Sequence, residues 1–238
     1  LLISHGHKGS RRDASWLARA LVQSGYVVAA IDHHKDTRSN HDLLTALCFW
    51  NRPMDLTFLL NQFEKEDWVM EKIDLNRVGF VGYSLGGMTG LAIGGGIAKN
   101  AAGGFEKLSH YSVSKEMLKA FDLSPAIKSY KDPRIKAMLL LCPAAFGYTP
   151  DSLKEIKIPT ALVVAAGDEV LPFKEHGKQL VEHLNAVKLK VLRKEVSHYA
   201  FMNCVSAYGK KTLHKEILKD SPVYNRAKLH RDISAFAV

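Results

Sequence analysis

Val78-Gly79-Phe80-Val81-Gly82-Tyr83-Ser84-Leu85-Gly86-Gly87 is the stretch on which the fold turns. Val78 to Tyr83 is a short apolar run of strand length, and the apolar pattern from Leu85 to Ala98 reads as a helix. Between them Gly82-Tyr83-Ser84-Leu85-Gly86 matches G-x-S-x-G, a sharp strand-to-helix turn that lifts a serine above the edge of a sheet. Gly82 and Gly86 carry no side chains to collide as strand and helix close on each other. Strand, turn and helix in this order make Ser84 a candidate nucleophile.

Working outward, short apolar runs alternate with helical patterns along the whole chain, as in a mostly parallel sheet covered by helices on both faces. The expected strands are 1–4, 27–32, 78–83, 137–142, 161–166 and 188–192. The expected helices are 12–24, 54–66, 85–98, 173–184 and 225–236. A connection over 100–133 is longer than a simple link, holds a helical piece at 114–121, and is a candidate cap or lid. No linker divides the 238 residues, so one α/β domain is expected over 1–238. The chain opens inside an apolar strand with no initiator Met, so a native segment is expected ahead of residue 1.

A composition of 47% hydrophobic and 24% charged residues supports a packed core and argues against global disorder. The formal charge of +9 raises the question of a polyanion partner. Its basic residues are spread out, with loose clusters at Lys188, Lys190, Arg193 and Lys194 and at Lys210, Lys211, Lys215 and Lys219. These read as solvated faces, and no nucleic-acid motif accompanies them. No apolar run is long enough to span a bilayer. Three cysteines, with no C-x-x-C, make no disulfide framework and leave the compartment open.

A serine hydroxyl needs a neutral imidazole to take its proton and a carboxylate to orient that imidazole. The chain order serine, acid, histidine offers Asp168 after the strand 161–166 and His198 after the strand 188–192. Glu169 and Glu195 are rival acids. Backbone N–H groups for a developing oxyanion are expected from Leu85, which follows the serine, and from His7 in the turn Ser4-His5-Gly6-His7. Tyr83, Phe146, Tyr148, Val170 and Tyr199 lie near strand ends or these loops and are expected pocket walls, with a core role equally open. His5-x-His7 and the adjacent His33 and His34 lack the carboxylate-bearing spacing of a metallohydrolase. No metal is expected, and His5 reads as a residue that braces its loop. Gly94-Gly95-Gly96 does not form a dinucleotide fingerprint.

The chain resembles the α/β-hydrolase superfamily, and within it the dienelactone hydrolase-like esterases related to platelet-activating-factor acetylhydrolases. The resemblance rests on Ser4-His5-Gly6 with Gly9-Ser10, Gly25 to Ala30 leading to Asp32-His33, and Arg52-Pro53 with Asp55. It rests also on Gly82 to Gly87, Gly167-Asp168 with Pro172, and Ser197-His198-Tyr199 with Phe201. It implies a cofactor-independent serine carboxylesterase with Ser84, Asp168 and His198 as its triad. Dienelactone hydrolases themselves carry a cysteine in the elbow, where this chain has Ser84. The family fold also begins with strands ahead of the first one seen here. Related exported proteins carry a disulfide from a cysteine just after the histidine; Cys204 fits that place, with no later cysteine to pair with. The expected partner is a small-molecule ester, with no nucleic acid, and a homodimer is compatible with the sequence. The alternatives are an inactive binding protein on the same scaffold and a metal-dependent hydrolase.

Overall fold

A computed structural model describes residues 1–107, 116, 121–213, 215–218 and 224–237. Six strands form one sheet: β1 (Leu2–Ser4), β2 (Ala29–Ala30), β3 (Val78–Tyr83), β4 (Ile135–Leu141), β5 (Thr160–Ala165) and β6 (Ala186–Leu192). Their order is β2-β1-β3-β4-β5-β6 and every pairing is parallel. The chain runs from β1 outward to β2, then returns past β1 to lay down β3 on its other side. That reversal opens a crevice beyond the carboxyl ends of β1 and β3, where open α/β sheets place their ligands. Ser4 pairs with Gly82, so the loop leaving β1 emerges directly beside the turn leaving β3.

Alternate strand residues point to opposite faces, and the core divides accordingly. Leu2, Phe80, Leu140 and Leu162 belong to one buried cluster, with Leu56 and Leu60 of α3 (Asn51–Phe63) and Leu91 of α5 (Leu85–Ile93). Ile3, Val81, Leu139 and Val163 belong to the other, with Leu17 and Leu21 of α1 (Ser15–Gln23) and Leu229 and Ile233 of the C-terminal helix Arg226–Ala237. Both faces are therefore covered, which is why the central strands β3 and β5 and most of β4 read as apolar runs rather than alternating ones, while the edge strand β6 alternates with Lys188 and Lys190.

Local chemistry moves several boundaries. The helix after Ser84 stops at Ile93 rather than Ala98, since Gly94 caps it and Gly95 takes φ +111°. The helix expected over 173–184 is limited to Gly177–His183 because residues 173–176 form turns after Pro172. The strand expected over 27–32 shrinks to Ala29–Ala30, the two residues that β1 can pair. α3 begins earlier than expected, at Asn51, with Pro53 tolerated in its first turn. Short helices at Leu43–Leu47 (α2), Asp67–Met70 (α4), Ala101–Lys107 and Pro150–Lys154 were not legible from periodicity. Except for Glu116 and Phe121, the helix expected at 114–121 lies outside the described residues.

Candidate active site

Ser84 caps α5 with φ 56° and ψ −118°, a left-handed conformation that costs a non-glycine residue energy. The surroundings hold it there. Its N–H donates to the Leu141 carbonyl at 3.0 Å, and its carbonyl accepts from Ala144 N at 3.0 Å and Gly87 N at 2.9 Å. A methyl group at Gly82 would strike the Gly86 carbonyl, and one at Gly86 would strike the Ser4 carbonyl. The turn thus closes only with glycine at both positions.

Above this turn, His198 Nε2 lies 2.9 Å from Ser84 Oγ, and His198 Nδ1 lies 2.7 Å from Asp168 Oδ2. With the carboxylate as acceptor, Nδ1 carries the proton and the Nε2 lone pair faces the serine hydroxyl. The other Asp168 oxygen accepts from Leu171 N at 2.7 Å and Val170 N at 3.0 Å, which fixes the carboxylate plane. Ser84, Asp168 and His198 are all buried.

Three elements far apart in sequence hold the histidine. His198 opens a 3-10 turn, His198–Phe201, after β6. Its N–H donates to Glu169 Oε2 at 3.0 Å, and its carbonyl accepts from the Tyr83 hydroxyl at 3.0 Å. Glu169, a rival acid on sequence grounds, therefore binds the backbone of the histidine loop while Asp168 binds the imidazole. Burial pushes the Tyr83 phenol well above its usual range, so it stays a neutral donor. Trp16 Nε1 donates to the Phe201 carbonyl at 2.8 Å, and the Trp16 ring stacks on His230 at 4.1 Å, tying this turn to α1 and the C-terminal helix.

The loop after β1 is braced from below by a buried polar network. His5 Nδ1 is 2.7 Å from the Gly6 carbonyl, and His5 Nε2 accepts the His33 N–H at 3.1 Å. Burial, reinforced by the charge of Arg52, pushes His5 down to about 4, so it is neutral at ordinary pH. His33, held well below its usual value by burial and then by Arg52, contacts Asp55 Oδ2 through Nδ1 at 2.8 Å. Its Nε2 accepts from Ser4 Oγ at 2.8 Å. Arg52 is buried and donates to Asp36 Oδ2 at 2.6 Å, Thr89 Oγ1 at 3.1 Å and the His5 carbonyl. Burial lowers it to about 10, so it remains a cation.

Gly6 packs on Ser84, since a methyl group there would lie 3.1 Å from Ser84 Cβ. The N–H groups of His7 and of Leu85, the first residue of α5, donate to no acceptor among the described residues. Of the other expected wall residues, Tyr199 sets its ring edge-on to His198 at 5.5 Å, and Val170 belongs to the acid turn. Phe146 packs edge-on against His176 at 4.4 Å. Tyr148 is buried in the larger core cluster, its hydroxyl 3.5 Å from the Met88 carbonyl. Cys142 is buried with φ 40°, and burial beside Asp168 pushes its thiol well up, which leaves it unreactive. Cys204 is free and exposed.

Arg52, Asp36, His33 and Asp55 organise the β1 loop, yet no spacing in the sequence assigns them to it. The one signal is Arg52-Pro53 with Asp55 in the first turn of a helix, a charge pair on the face that packs inward.

No family model matches the chain, and no curated protein matches it in sequence. Among solved structures it is similar to a predicted CIB-like hydrolase from Thermoplasma acidophilum, at TM-score 0.54 and 14% identity, over 99% of this chain and 84% of that one. With a parallel six-stranded sheet, helices on both faces and a serine on the β3–α5 turn, the chain has the α/β-hydrolase fold.

Proposed function

We propose that the protein is a cofactor-independent serine hydrolase that cleaves carboxylic esters, lactones or thioesters through an acyl-enzyme. The observation that carries this reading is the unbroken hydrogen-bonded series from Ser84 Oγ through His198 to Asp168 Oδ2. In it, Ser84 Oγ attacks the acyl carbon as His198 Nε2 takes the hydroxyl proton, and Asp168 holds and stabilises the imidazolium. His198 then passes the proton to the departing alcohol or thiol. Water, deprotonated by the same imidazole, releases the acid and returns Ser84.

The oxyanion is assigned to the His7 and Leu85 amides. The peptide between Gly6 and His7 is trans, so its N–H points opposite to its C=O. That C=O is tied to the His5 ring and to Gly9 N–H at 3.0 Å, so the His7 N–H points the other way. The unused N–H of Leu85 at the start of α5 adds the positive end of a helix. Tyr199 and Val170 are assigned to the pocket wall beside the triad, with Tyr83, Phe146 and Tyr148 behind it. The resemblance to dienelactone hydrolase-like esterases agrees with this chemistry, with serine in place of cysteine in the elbow.

A fluorophosphonate probe is expected to label the wild type and not Ser84→Ala, and the substitution should cut turnover of short p-nitrophenyl esters by on the order of 10⁴-fold or more. A correctly folded wild type that neither labels nor turns over any ester, lactone or thioester would point to a binding role and overturn the proposal.

A further inference from the structure

A second cluster of chemistry-bearing side chains stands beside the loop that follows β1. His7, Asp36 and His41 each bring a donor atom within 4.8 Å of those of the other two. At that range small side-chain shifts bring all three donors to one ion about 2.0–2.2 Å from each.

Sequence distance is bridged by backbone that is already ordered. Thr37 and Asn40 close a tight turn through paired hydrogen bonds at 3.0 and 3.3 Å, so Asp36 and His41 face each other as an antiparallel bridge across it. A parallel bridge from Gly9 to Thr37 brings the His7 loop alongside. Lys8 and Lys35, each next to a cluster member, take φ 53° and 54°, left-handed positions that an L-residue adopts only under constraint.

Donor chemistry favours a cation. His7 Nδ1 lies 2.8 Å from Asp36 Oδ1, which also accepts Lys8 N–H at 3.0 Å, while Arg52 occupies Oδ2. His41 Nε2 is buried and has no hydrogen-bond partner among the described residues. The His7 and His41 rings meet edge-on at 5.0 Å, and a buried imidazole nitrogen left without a partner in a cluster that also holds a carboxylate is an unmet demand that an ion answers. Two imidazoles and one carboxylate suit zinc and its first-row neighbours rather than calcium or magnesium.

We propose that His7, Asp36 and His41 form a binding site for one zinc-class divalent cation. The ion takes the place of the proton between His7 Nδ1 and Asp36 Oδ1, the His7 imidazole stays neutral with its proton on Nε2, and water fills the fourth position. Arg52 on Oδ2 and the Lys8 amide on Oδ1 orient the carboxylate from outside the coordination sphere, the arrangement that sets a metal ligand's direction. The bound ion pins the β1 loop to the 36–41 turn, so it is a structural clamp beside the triad and takes no part in acyl transfer. No single short motif announces it, because the ligands come from two loops.

Chelator-treated protein is titrated with Zn²⁺ by calorimetry, and with Co²⁺ by visible absorption, which reports coordination geometry. Wild type and Ser84→Ala are both expected to bind one ion per chain with equal affinity, since the site is independent of the hydrolase reading. His41→Ala is expected to bind at least tenfold more weakly and to lose the intense tetrahedral Co²⁺ bands. Should His41→Ala not fold, His7→Ser serves as the variant, because it keeps the backbone and removes the ligand. Wild type binding no tighter than the folded variant, or no stoichiometric ion in wild type, overturns the site. The chain's other histidines would then account for whatever weak binding remains.

Discussion

Replacing Arg52 by methionine fills most of the side chain's volume and removes its charge and its donors. Arg52 is 3% exposed, and its guanidinium serves Asp36, Thr89 and the His5 carbonyl together. Burial opposes ionisation of Asp36, but the His7 hydrogen bond and the Arg52 charge outweigh it and keep the carboxyl below its ordinary range. The variant therefore strands a buried carboxylate. Breaking a buried ion pair from one side costs about 3–5 kcal/mol, a large share of the roughly 5–15 kcal/mol that holds a domain together. Urea unfolding should show the midpoint falling at unchanged slope. Adding Asp36→Asn removes the stranded charge and keeps an acceptor for the Lys8 amide, and should return at least about 2 kcal/mol, a coupling that a double-mutant cycle isolates. Ester turnover should not recover with stability, because the His5 carbonyl has still lost its donor and the loop its anchor. An Arg52→Met protein destabilised by less than about 1 kcal/mol, or a double variant no sturdier than the single, would refute the reasoning.

Gly86→Ala drives a methyl group into the Ser4 carbonyl, where strand pairing prevents retreat, so it should cost about 1–3 kcal/mol and abolish probe labelling; a labelled variant with an unchanged melting temperature would contradict the packing described. Asp168→Asn keeps the shape but favours the wrong imidazole tautomer, and turnover should fall on the order of 10³–10⁴-fold with folding retained, as circular dichroism and kinetics together would show. Acid should weaken the fold through His5 and His33, whose native values are depressed. Above about 6.5 both are neutral folded or unfolded, and below it the unfolded chain binds protons that the native state refuses. For His5, falling from 6.5 to about 4 amounts to roughly 3 kcal/mol lost across that interval. Urea midpoints between pH 7 and 4 measure it, and an equally steep loss in His5→Gln would remove His5 as the cause.

Much of this site was written into local sequence. Gly82, Ser84 and Gly86 specify a turn by what their backbone must do, and Asp168 and His198 follow strands apolar enough to be recognised. Sequence does little to separate Asp168 from Glu169, because adjacent carboxyls in one turn differ only in which way they face. The expected strand over 27–32 exceeds β2 because Val27 and Val28 carry strand-forming side chains, yet Val27 is largely exposed and neither has a partner in the register with β1. The helix Pro150–Lys154 owes its existence to a capping box between Thr149 and Ser152, with Pro150 preset for the first turn, rather than to periodicity. The network of Arg52, Asp36, His33 and Asp55 leaves little trace in the sequence beyond Arg52-Pro53 with Asp55, for a different reason. Each member is an ordinary surface residue type, and only the folded chain reveals that the loop after β2 and the first turns of α3 deliver them to one place.

Ser84 occupies backbone angles that suit glycine, at a cost of about 1–3 kcal/mol carried by the rest of the fold. A glycine at position 84 would sit there at ease, so under the proposed mechanism the most direct route to a sturdier molecule passes through an inert one. If the proposed role of Ser84 holds, selection for heat resistance alone works against this position, and laboratory evolution of the protein has to screen for turnover to keep it.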